Sequence, residues 1–374
     1  MTQSNSRGAQ PLLSICLPVY NGAEYLPNVL AALLPQSDEF RDVVEVIVAD
    51  DASQDASERI CSEAAAAGRI RYIRNAPNLG MGPNIARCIT EHARGQFVWI
   101  WSQHCLLRPQ MLLHVVELLQ ANIDRDVVTV NFRCARYPDL WPAELDGPYD
   151  GPFDYVSNTE LRTLQLPHWH LALTEATGLG TQTYSHIVRC RLVADYLRQQ
   201  KVNSCFGTSV STYTQATAVG ATCFQRPSVY FGEPVFTIFN GAQTWSRLDT
   251  RALVYLQAFP ELVRLYVRQG LSGDRRRNAE QYASGFAAAT ILELLRRDGW
   301  PATVTALKYL LRYGGQHGAV SAVSQVVLLS DWCRLSAGLL ASVQLFGRIW
   351  DYLFRRCRPA RWVRNRRRTA GSSI

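Results

Sequence analysis

Five short apolar runs alternate with four stretches of helical spacing in the first 132 residues, and few folds accept that order. The runs are Leu12–Tyr20, Val43–Ala49, Ile70–Arg74, Gln96–Trp101 and Val127–Phe132. Between them Ala23–Leu34, Ala56–Ala67, Pro83–Arg94 and Pro109–Gln120 have the spacing of helices, the first stopping at Pro35 and the last opening on a proline. Strands alternating with helices of about a dozen residues imply βαβ units on a parallel sheet. Val44–Val48 is mostly apolar and β-branched, as in a strand buried on both faces. Asp50 and Asp51 follow at its C-terminal end, with Ser53 and Asp55 placed to cap the next helix. Ligands of open α/β sheets sit outside the carboxyl ends of strands, so an acidic pair there is well placed to accept hydrogen bonds from a nucleotide. Neither GxGxxG nor GxxxxGK[ST] occurs, which argues against the dinucleotide and P-loop classes.

Beyond Val127–Phe132 the pattern changes. Residues 137–154 are dense in Pro, Gly, Asp and aromatics, as in an ordered loop, and residues 155–245 are mixed. Ala252–Gln269, Asn278–Arg297, Pro301–Tyr313, Ala319–Ala337 and Leu339–Phe354 have helical spacing. A hydrophobic content of 47% in 374 residues suits one large or two modest domains. The ten cysteines are scattered without a CxxC pair, and several lie in apolar runs, so they are expected to be reduced thiols of a cytosolic protein. The opening MTQSNSRGAQ has no apolar stretch, so no secretory signal is expected.

Four motifs in order carry a resemblance. They are Pro18-Val19-Tyr20-Asn21 with Glu24 and Tyr25; Asp50-Asp51-Ala52-Ser53-Gln54-Asp55; Asn78-Leu79-Gly80 with Asn84-Ile85-Ala86-Arg87; and Phe97–Pro109. Together they resemble the inverting glycosyltransferases of family 2, over about the first 120 residues. Thr181–Leu197 and Val229–Trp245, with Phe231-Gly232-Glu233-Pro234, resemble the abequosyltransferase-like branch of that family. The fold class implied is α/β: a GT-A, Rossmann-like nucleotide-sugar domain with a mostly parallel sheet, then a helical C-terminal region. The expected organisation is a flexible residue 1–10 segment, a GT-A domain over 11–247, a helical region over 248–355 and a basic tail over 356–374. Within the domain, residues 11–132 are the nucleotide-binding half and 133–247 the acceptor half.

By the resemblance, Pro18, Tyr20 and Glu24 line the nucleotide pocket. Asp51 holds the base or ribose with Asp50 in support, and Asn78, Gly80 and Arg87 border the ribose and diphosphate. Carboxylates accept from N–H and O–H groups, glycine lets backbone approach closely, and an arginine suits a diphosphate. The departure is Ser102-Gln103-His104-Cys105. The family places an acidic cluster here that holds Mg²⁺ or Mn²⁺ on the donor diphosphate. Its three acidic positions correspond to Gln103, His104 and Cys105, none a carboxylate, whereas hard cations take oxygen ligands. Three readings follow: His104 replaces the metal with positive or hydrogen-bonding character, His104 and Cys105 hold a softer ion, or the site is degenerate.

Inverting transfer needs a carboxylate to deprotonate the acceptor hydroxyl. Glu160, Glu175, Asp195 and Glu233 are candidates, with Glu175, beside Ala176-Thr177-Gly178, favoured and Asp195 read as a surface residue. His168-Trp169-His170 reads as an acceptor-binding loop with an exposed Trp169, since two histidines do not complete a metal site. His186 reads as buried with a backbone partner. Nine arginines lie between Arg348 and Arg368, with Trp362 among them, after the amphipathic Leu335–Phe354. That order fits a helix lying on an anionic membrane surface, and no nucleic-acid-binding module accompanies it.

The functional expectation is therefore a glycosyltransferase that moves a sugar from a nucleotide-sugar donor to a lipid-linked or polysaccharide acceptor in cell-envelope polysaccharide biosynthesis. It would be cytoplasmic and peripheral at the membrane. The alternative is a catalytically degenerate GT-A nucleotide-binding protein that scaffolds or regulates a partner transferase.

Overall fold

A mixed sheet of ten described strands organises the chain. The structure, a computed structural model, describes residues 10–174, 178–202, 206–241, 248–291, 293, 294 and 297. The strands are β1 (Leu13–Val19), β2 (Val44–Asp50), β3 (Arg71–Arg74), β4 (Phe97–Ile100), β5 (Cys105–Leu107), β6 (Val127–Arg136), β7 (Tyr155–Val156), β8 (Leu164–Leu166), β9 (His186–Arg189) and β10 (Ser228–Asn240). The order is β3-β2-β1-β4-β9-β6-β10-β5, with β7 beside β6 and β8 beside β10. β1 to β4 are parallel neighbours, as the alternation predicts. β9 runs antiparallel between β4 and β6, so β6 and its parallel partner β10 share the direction of β1. The C-terminal ends of β1, β2, β4, β6 and β10 thus meet along one edge, and the sheet is mostly parallel in strand direction.

Helices cover both faces, which explains the continuous apolar runs. α1 (Leu26–Asp38), α2 (Ser57–Ala66) and α4 (Met111–Ala121) contribute to one core. α3 (Met81–Arg87), α5 (Cys190–Arg198), α6 (Ser209–Thr212), α7 (Thr214–Thr222), α8 (Leu248–Leu253) and α9 (Phe259–Arg268) follow on the chain, and α3, α5, α7 and α9 contribute to the other. Successive strand residues point to opposite faces. Phe97, Trp99 and Trp101 therefore enter the first core, and Val98 and Ile100 the second. All seven described cysteines are buried and unpaired.

Several boundaries depart from the sequence reading. α1 does not stop at Pro35 but runs through it to Asp38. Tertiary contacts hold that last turn: Gln36 is buried, donates to Arg108 O at 2.9 Å and accepts from Leu112 N–H at 3.2 Å. The helix expected over Pro83–Arg94 is α-helical only to Arg87, then widens into a π turn over Cys88–His92 that keeps Cys88 and Ile89 buried. β5 and β9 were not expected as strands. Phe231-Gly232-Glu233-Pro234 lies inside β10 at a register shift against β6. Residues 273–291 are helical, starting five residues before the expected Asn278. The helices expected from Pro301 onward, and the basic tail, lie outside the described residues. Among the described residues no helix is long and apolar enough to cross a membrane.

Candidate active site at the C-terminal edge of the sheet

The loops after β1 and β2 are stitched together by the small polar residues that follow the acidic pair. Asn21 N–H donates to Ser53 Oγ at 2.9 Å, Gly22 N–H to Ser57 Oγ at 2.8 Å and Ala23 N–H to Asp55 Oδ2 at 2.9 Å. Gln54 N–H returns a bond to Asn21 Oδ1 at 2.8 Å. Asp55 also accepts from Ser57 N–H, the first residue of α2, so of the two expected caps it is Asp55 that reaches the helix. Partial burial opposes ionisation of Asp55, but the bonds from Ser57 and from the Ala23 and Ser57 backbone hold its carboxyl below the usual range.

Asp50 and Asp51 are both buried and both engaged by the protein. Asp50 Oδ1 accepts from Ser53 N–H and Oγ–H, and Oδ2 from Tyr72 OH and Arg74 Nη1, each at 2.7 Å. Burial and that bond push the Tyr72 phenol up, and Asp50 raises the Arg74 guanidinium. Asp51 Oδ1 accepts from Asn75 Nδ2 and Leu79 N–H, each at 2.9 Å, and Oδ2 from Gly80 N–H at 2.7 Å. Asn78 Nδ2 donates to Asp51 O at 2.7 Å. A carboxylate offers about four acceptor positions. Among the described residues, these bonds fill the Asp50 set and leave one position of Asp51, on Oδ2 beside Gly80. The pair therefore shapes the 75–80 loop first, and the direct hold on a base or ribose expected of Asp51 is confined to that one position.

Arg87 is also engaged. Its Nη1 donates to Asn75 Oδ1 at 2.8 Å and its Nη2 pairs with Glu91 at 2.9 Å. The arginine expected on the diphosphate thus braces Asn75, which is bonded in turn to Asp51 and to Asn84 Oδ1. Asn84 Nδ2 closes the network on Ala49 O at 2.9 Å. Sequence reasoning passed over Asn75, and quoted Asn84 in the helix-entry motif without giving it a role of its own. The available signal was two asparagines flanking a turn-rich loop beside an apolar strand, where a buried amide must find partners.

On the other side of β1, residues 102–104 link β4 to β5. A Cβ on Gly22 would meet Gln103 Oε1 at 2.9 Å, so this link touches the loop after β1. The His104 ring packs edge-on against Tyr25 with centroids 4.5 Å apart. Gln103 Oε1 and His104 Nδ1 are buried with no hydrogen-bond partner among the described residues. Burial lowers the His104 pKa to about 4, against the pull of Glu24, so the free ring is neutral near pH 7. Of the two characters expected of it, the free protein retains the hydrogen-bonding one. Tyr25 also meets Tyr137 and Trp141, and Tyr137 OH donates to Glu24, which pushes the Tyr137 phenol up. Tyr20 is half exposed above Pro18 at the end of β1. The aromatic wall of Tyr137 and Trp141 was missed because those residues follow β6 and lie far from Glu24 in sequence.

The donor set at 103–105 does not suit a hard divalent ion. Cys105 is fully buried and burial pushes its thiol up, Gln103 offers an amide, and no carboxylate stands in the link. Among the described residues no three His, Cys, Asp or Glu side chains converge as a ligand set.

The candidate bases separate by position. Glu175 lies outside the described residues. Glu160 is bonded to the Arg162 guanidinium and backbone N–H, which lower its pKa to about 2. Asp195 pairs with Arg198 at 2.8 Å on α5. Glu233 lies 3.9 Å from Arg108 and 3.7 Å from His114. Trp169 is not exposed: it is fully buried and donates Nε1–H to Thr129 Oγ1 at 3.2 Å. His168 and His170 stack on each other with centroids 5.4 Å apart, each with Nδ1 on a backbone carbonyl. The run therefore anchors a loop through its tryptophan. His186 is buried as expected, with Nε2 3.1 Å from Gly180 O and Nδ1 3.3 Å from Thr129 Oγ1.

Comparison with known proteins now bears on this edge. The family model "Glycosyl transferase family 2" matches residues 14–174, which span the clasped loops, the Asp51 network and the 102–104 link. Residues 14–174 are thus similar to glycosyltransferase family 2. An uncharacterized Mycobacterium tuberculosis protein is 36% identical over 91 residues, 24% of this chain and 27% of that one. The Salmonella typhimurium abequosyltransferase RfbV is 30% identical over 115 residues, 30% of this chain and 34% of that one. The chain thus spans about a third or less of the length of these curated relatives. A crystal structure of S. aureus TarS residues 1–349 in complex with UDP-GlcNAc superposes with a TM-score of 0.56 at 12% identity, covering 86% of this chain and 91% of that one. That likeness is one of fold, and it places the family 2 domain in the GT-A class.

Proposed function

We propose that the chain is an inverting glycosyltransferase that takes a sugar from a nucleotide-sugar donor without a divalent metal ion. The observation that carries this is the coincidence of the family 2 segment with the edge where the Asp51–Asn75–Gly80 network shapes a loop beside the 102–104 link. The TarS complex with UDP-GlcNAc supports a nucleotide-sugar donor, and the match to an abequosyltransferase supports a cell-envelope saccharide or lipid-linked acceptor. In the reaction the acceptor oxygen bonds to the anomeric carbon as the bond to the nucleotide diphosphate breaks, and a carboxylate takes the hydroxyl proton. Glu175 is assigned that proton. Asp51 acts by holding the 75–80 loop, with one acceptor position left for the nucleotide. Pro18, Tyr20 and Glu24 wall the pocket, and Arg87 fixes Asn75. Gln103 and His104 face the diphosphate as hydrogen-bonding groups where the family carries acids. The Arg348–Arg368 segment holds the enzyme peripherally on an anionic cytoplasmic membrane face.

The missing acids also favour a second reading, a nucleotide-binding domain that regulates a partner transferase. Calorimetry with UDP, GDP, CDP and dTDP, each with and without Mn²⁺, tests both readings. We expect one nucleotide to bind, with affinity unchanged by Mn²⁺. No binding would overturn both readings, and binding that depends on Mn²⁺ would overturn the metal-free one. Donor hydrolysis that is lost in Asp51→Ala favours the enzyme; nucleotide binding with no turnover favours the regulator.

A further inference from the structure

Resting on that donor reading, we propose that Met81 is one wall of the nucleobase slot, facing Tyr20 across Asp51, and so sets how tightly the nucleotide is held. Met81 falls between the two halves of the third sequence motif and has no expected role there. The strand order brings the two side chains to Asp51 from opposite sides, because β2, which Asp51 follows, lies between β3 and β1. From β1 comes Tyr20, next to Val19, whose carbonyl accepts from Asp51 N–H at 2.8 Å. From the loop after β3 comes Met81, next to Gly80, whose N–H donates to Asp51 Oδ2 at 2.7 Å. Each side chain is thus one residue from an atom bonded to Asp51, and the acceptor position left on Asp51 lies between them, on Oδ2.

Exposure is the second observation. Tyr20 is half exposed and Met81 is 37% exposed. Large apolar side chains left to water cost hydrophobic free energy, and here two of them flank one buried carboxylate. A nucleobase supplies what that arrangement lacks, two apolar faces for the walls and an N–H edge for the floor. Bases stack on aromatic rings, and a thioether sulfur packs favourably against a π-system. The backbone is the third observation. Tyr20 precedes Asn21 at φ 48°, Asp51 precedes Ala52 at φ 61°, and Met81 follows Gly80 at φ 91°. Positive φ disfavours a residue that carries a Cβ, as Ala52 does, and glycine adopts it freely. All three loops therefore turn sharply beside the contact, and strain of this kind gathers where a ligand is held. Asn21 and Ser53 bond the first loop to the second, and Asp51 bonds the second to the third, so the three turns form one frame.

Peroxide labelling of the full chain reads the position directly. Hydrogen peroxide transfers one oxygen to a thioether: the sulfur is oxidised to the sulfoxide and the peroxide is reduced to water. Met111, 4% exposed, is the internal control. Calorimetry with UDP, GDP, CDP and dTDP first finds the nucleotide that binds. With that nucleotide at saturation, we expect Met81 oxidation to slow several-fold by peptide mass spectrometry, with Met111 unlabelled throughout. The monophosphate of the same nucleoside should protect Met81 too, and inorganic pyrophosphate should not. Unchanged Met81 oxidation in the complex, or equal protection by pyrophosphate, overturns the proposal while leaving the donor reading intact. Failure of all four nucleotides to bind overturns the donor reading, and this proposal with it. Met81→Ala should weaken the nucleotide roughly two- to tenfold, the range of a sulfur–π contact, without moving the melting temperature. Met81→Leu, which keeps the apolar volume, should recover most of that affinity. Unchanged affinity in Met81→Ala would overturn the proposal, and the labelling, which needs no variant, decides it where a variant does not fold.

Discussion

At the residue scale, burial decides what each polar group does. Asp51 was legible as a site residue from its place at a strand end, yet its partners were not. Asn75, Leu79 and Gly80 reach it only because β3 lies beside β2, which a linear pattern does not display. Trp169 shows the opposite failure: between two histidines it reads as exposed, but Thr129, on β6, supplies a buried acceptor for its indole. The same Thr129 also meets His186, which burial makes a pH-sensitive part of the fold. Gly180 O only accepts, so His186 carries its hydrogen on Nε2 and accepts a hydrogen bond from the Thr129 hydroxyl at Nδ1. Burial lowers its pKa to about 4 from an ordinary 6.5. The unfolded chain therefore binds more protons between those values, and stability is complete above pH 6.5 and falls as pH drops toward 4. The loss amounts to about 3 kcal/mol for this group. His186→Gln keeps both bonds and removes the titration. Urea unfolding between pH 6.5 and 4.5 should show a slope shallower by about 1.4 kcal/mol per pH unit in the variant. Equal slopes would mean that the ring is hydrated in the folded state.

At the element scale, the first half of the chain was readable because each strand is followed by its own helix, so period and turn chemistry agree. The second half was not. β7, β8 and β9 have two, three and four residues, too few for a period, and β10 carries two register shifts where it pairs with β6. Their pairing depends on strands far away in sequence. α1 outran Pro35 for the same reason, held by Gln36 against the β5–α4 corner. Close approach between elements is equally invisible in a single sequence. Gly82, in the first turn of α3, packs directly against the Ser211 carbonyl of α6, and a Cβ there would lie well inside van der Waals contact. Gly82→Ala must push α3 from α6, and with α3 the Asn84 and Arg87 side chains that brace the Asp51 network. The expected cost is about 1–3 kcal/mol of unfolding free energy, with nucleotide affinity falling alongside. Gly147 has open space around its Cβ position and ordinary φ, so Gly147→Ala should leave the denaturant midpoint level or slightly raised. A Gly82→Ala midpoint equal to that of Gly147→Ala would show that the two helices separate without cost.

At the scale of the whole molecule, the parallel β1–β4 half of the sheet follows from the strand–helix alternation, while the insertion of β9 between β4 and β6 follows from nothing local. That insertion matters because it aligns β6 and β10 with β1, bringing Tyr137 to Glu24 at the same edge as Asp51. The arginine-rich segment belongs to this scale too, since it bears on where that edge works rather than on what it binds. Nine arginines lie between Arg348 and Arg368 against one acid, Asp351, whereas the remaining chain is close to neutral. A basic residue near an anionic bilayer contributes about 1 kcal/mol, and the attraction fades within a screening length of about 10 Å at 0.1 M salt and about 3 Å at 1 M. The full chain should therefore float with phosphatidylserine-containing vesicles at 0.1 M salt, and should be released as salt approaches 1 M. Neutral phosphatidylcholine vesicles should leave it at the bottom of the gradient. Replacing Arg361, Arg364, Arg366, Arg367 and Arg368 with glutamine should cut flotation by orders of magnitude while nucleotide affinity is unchanged, because none of the five lies in the family 2 segment. Equal flotation on neutral vesicles would transfer the anchoring to the apolar side of Leu335–Phe354. No flotation on either kind would leave the acceptor to reach the Asp51 edge from solution.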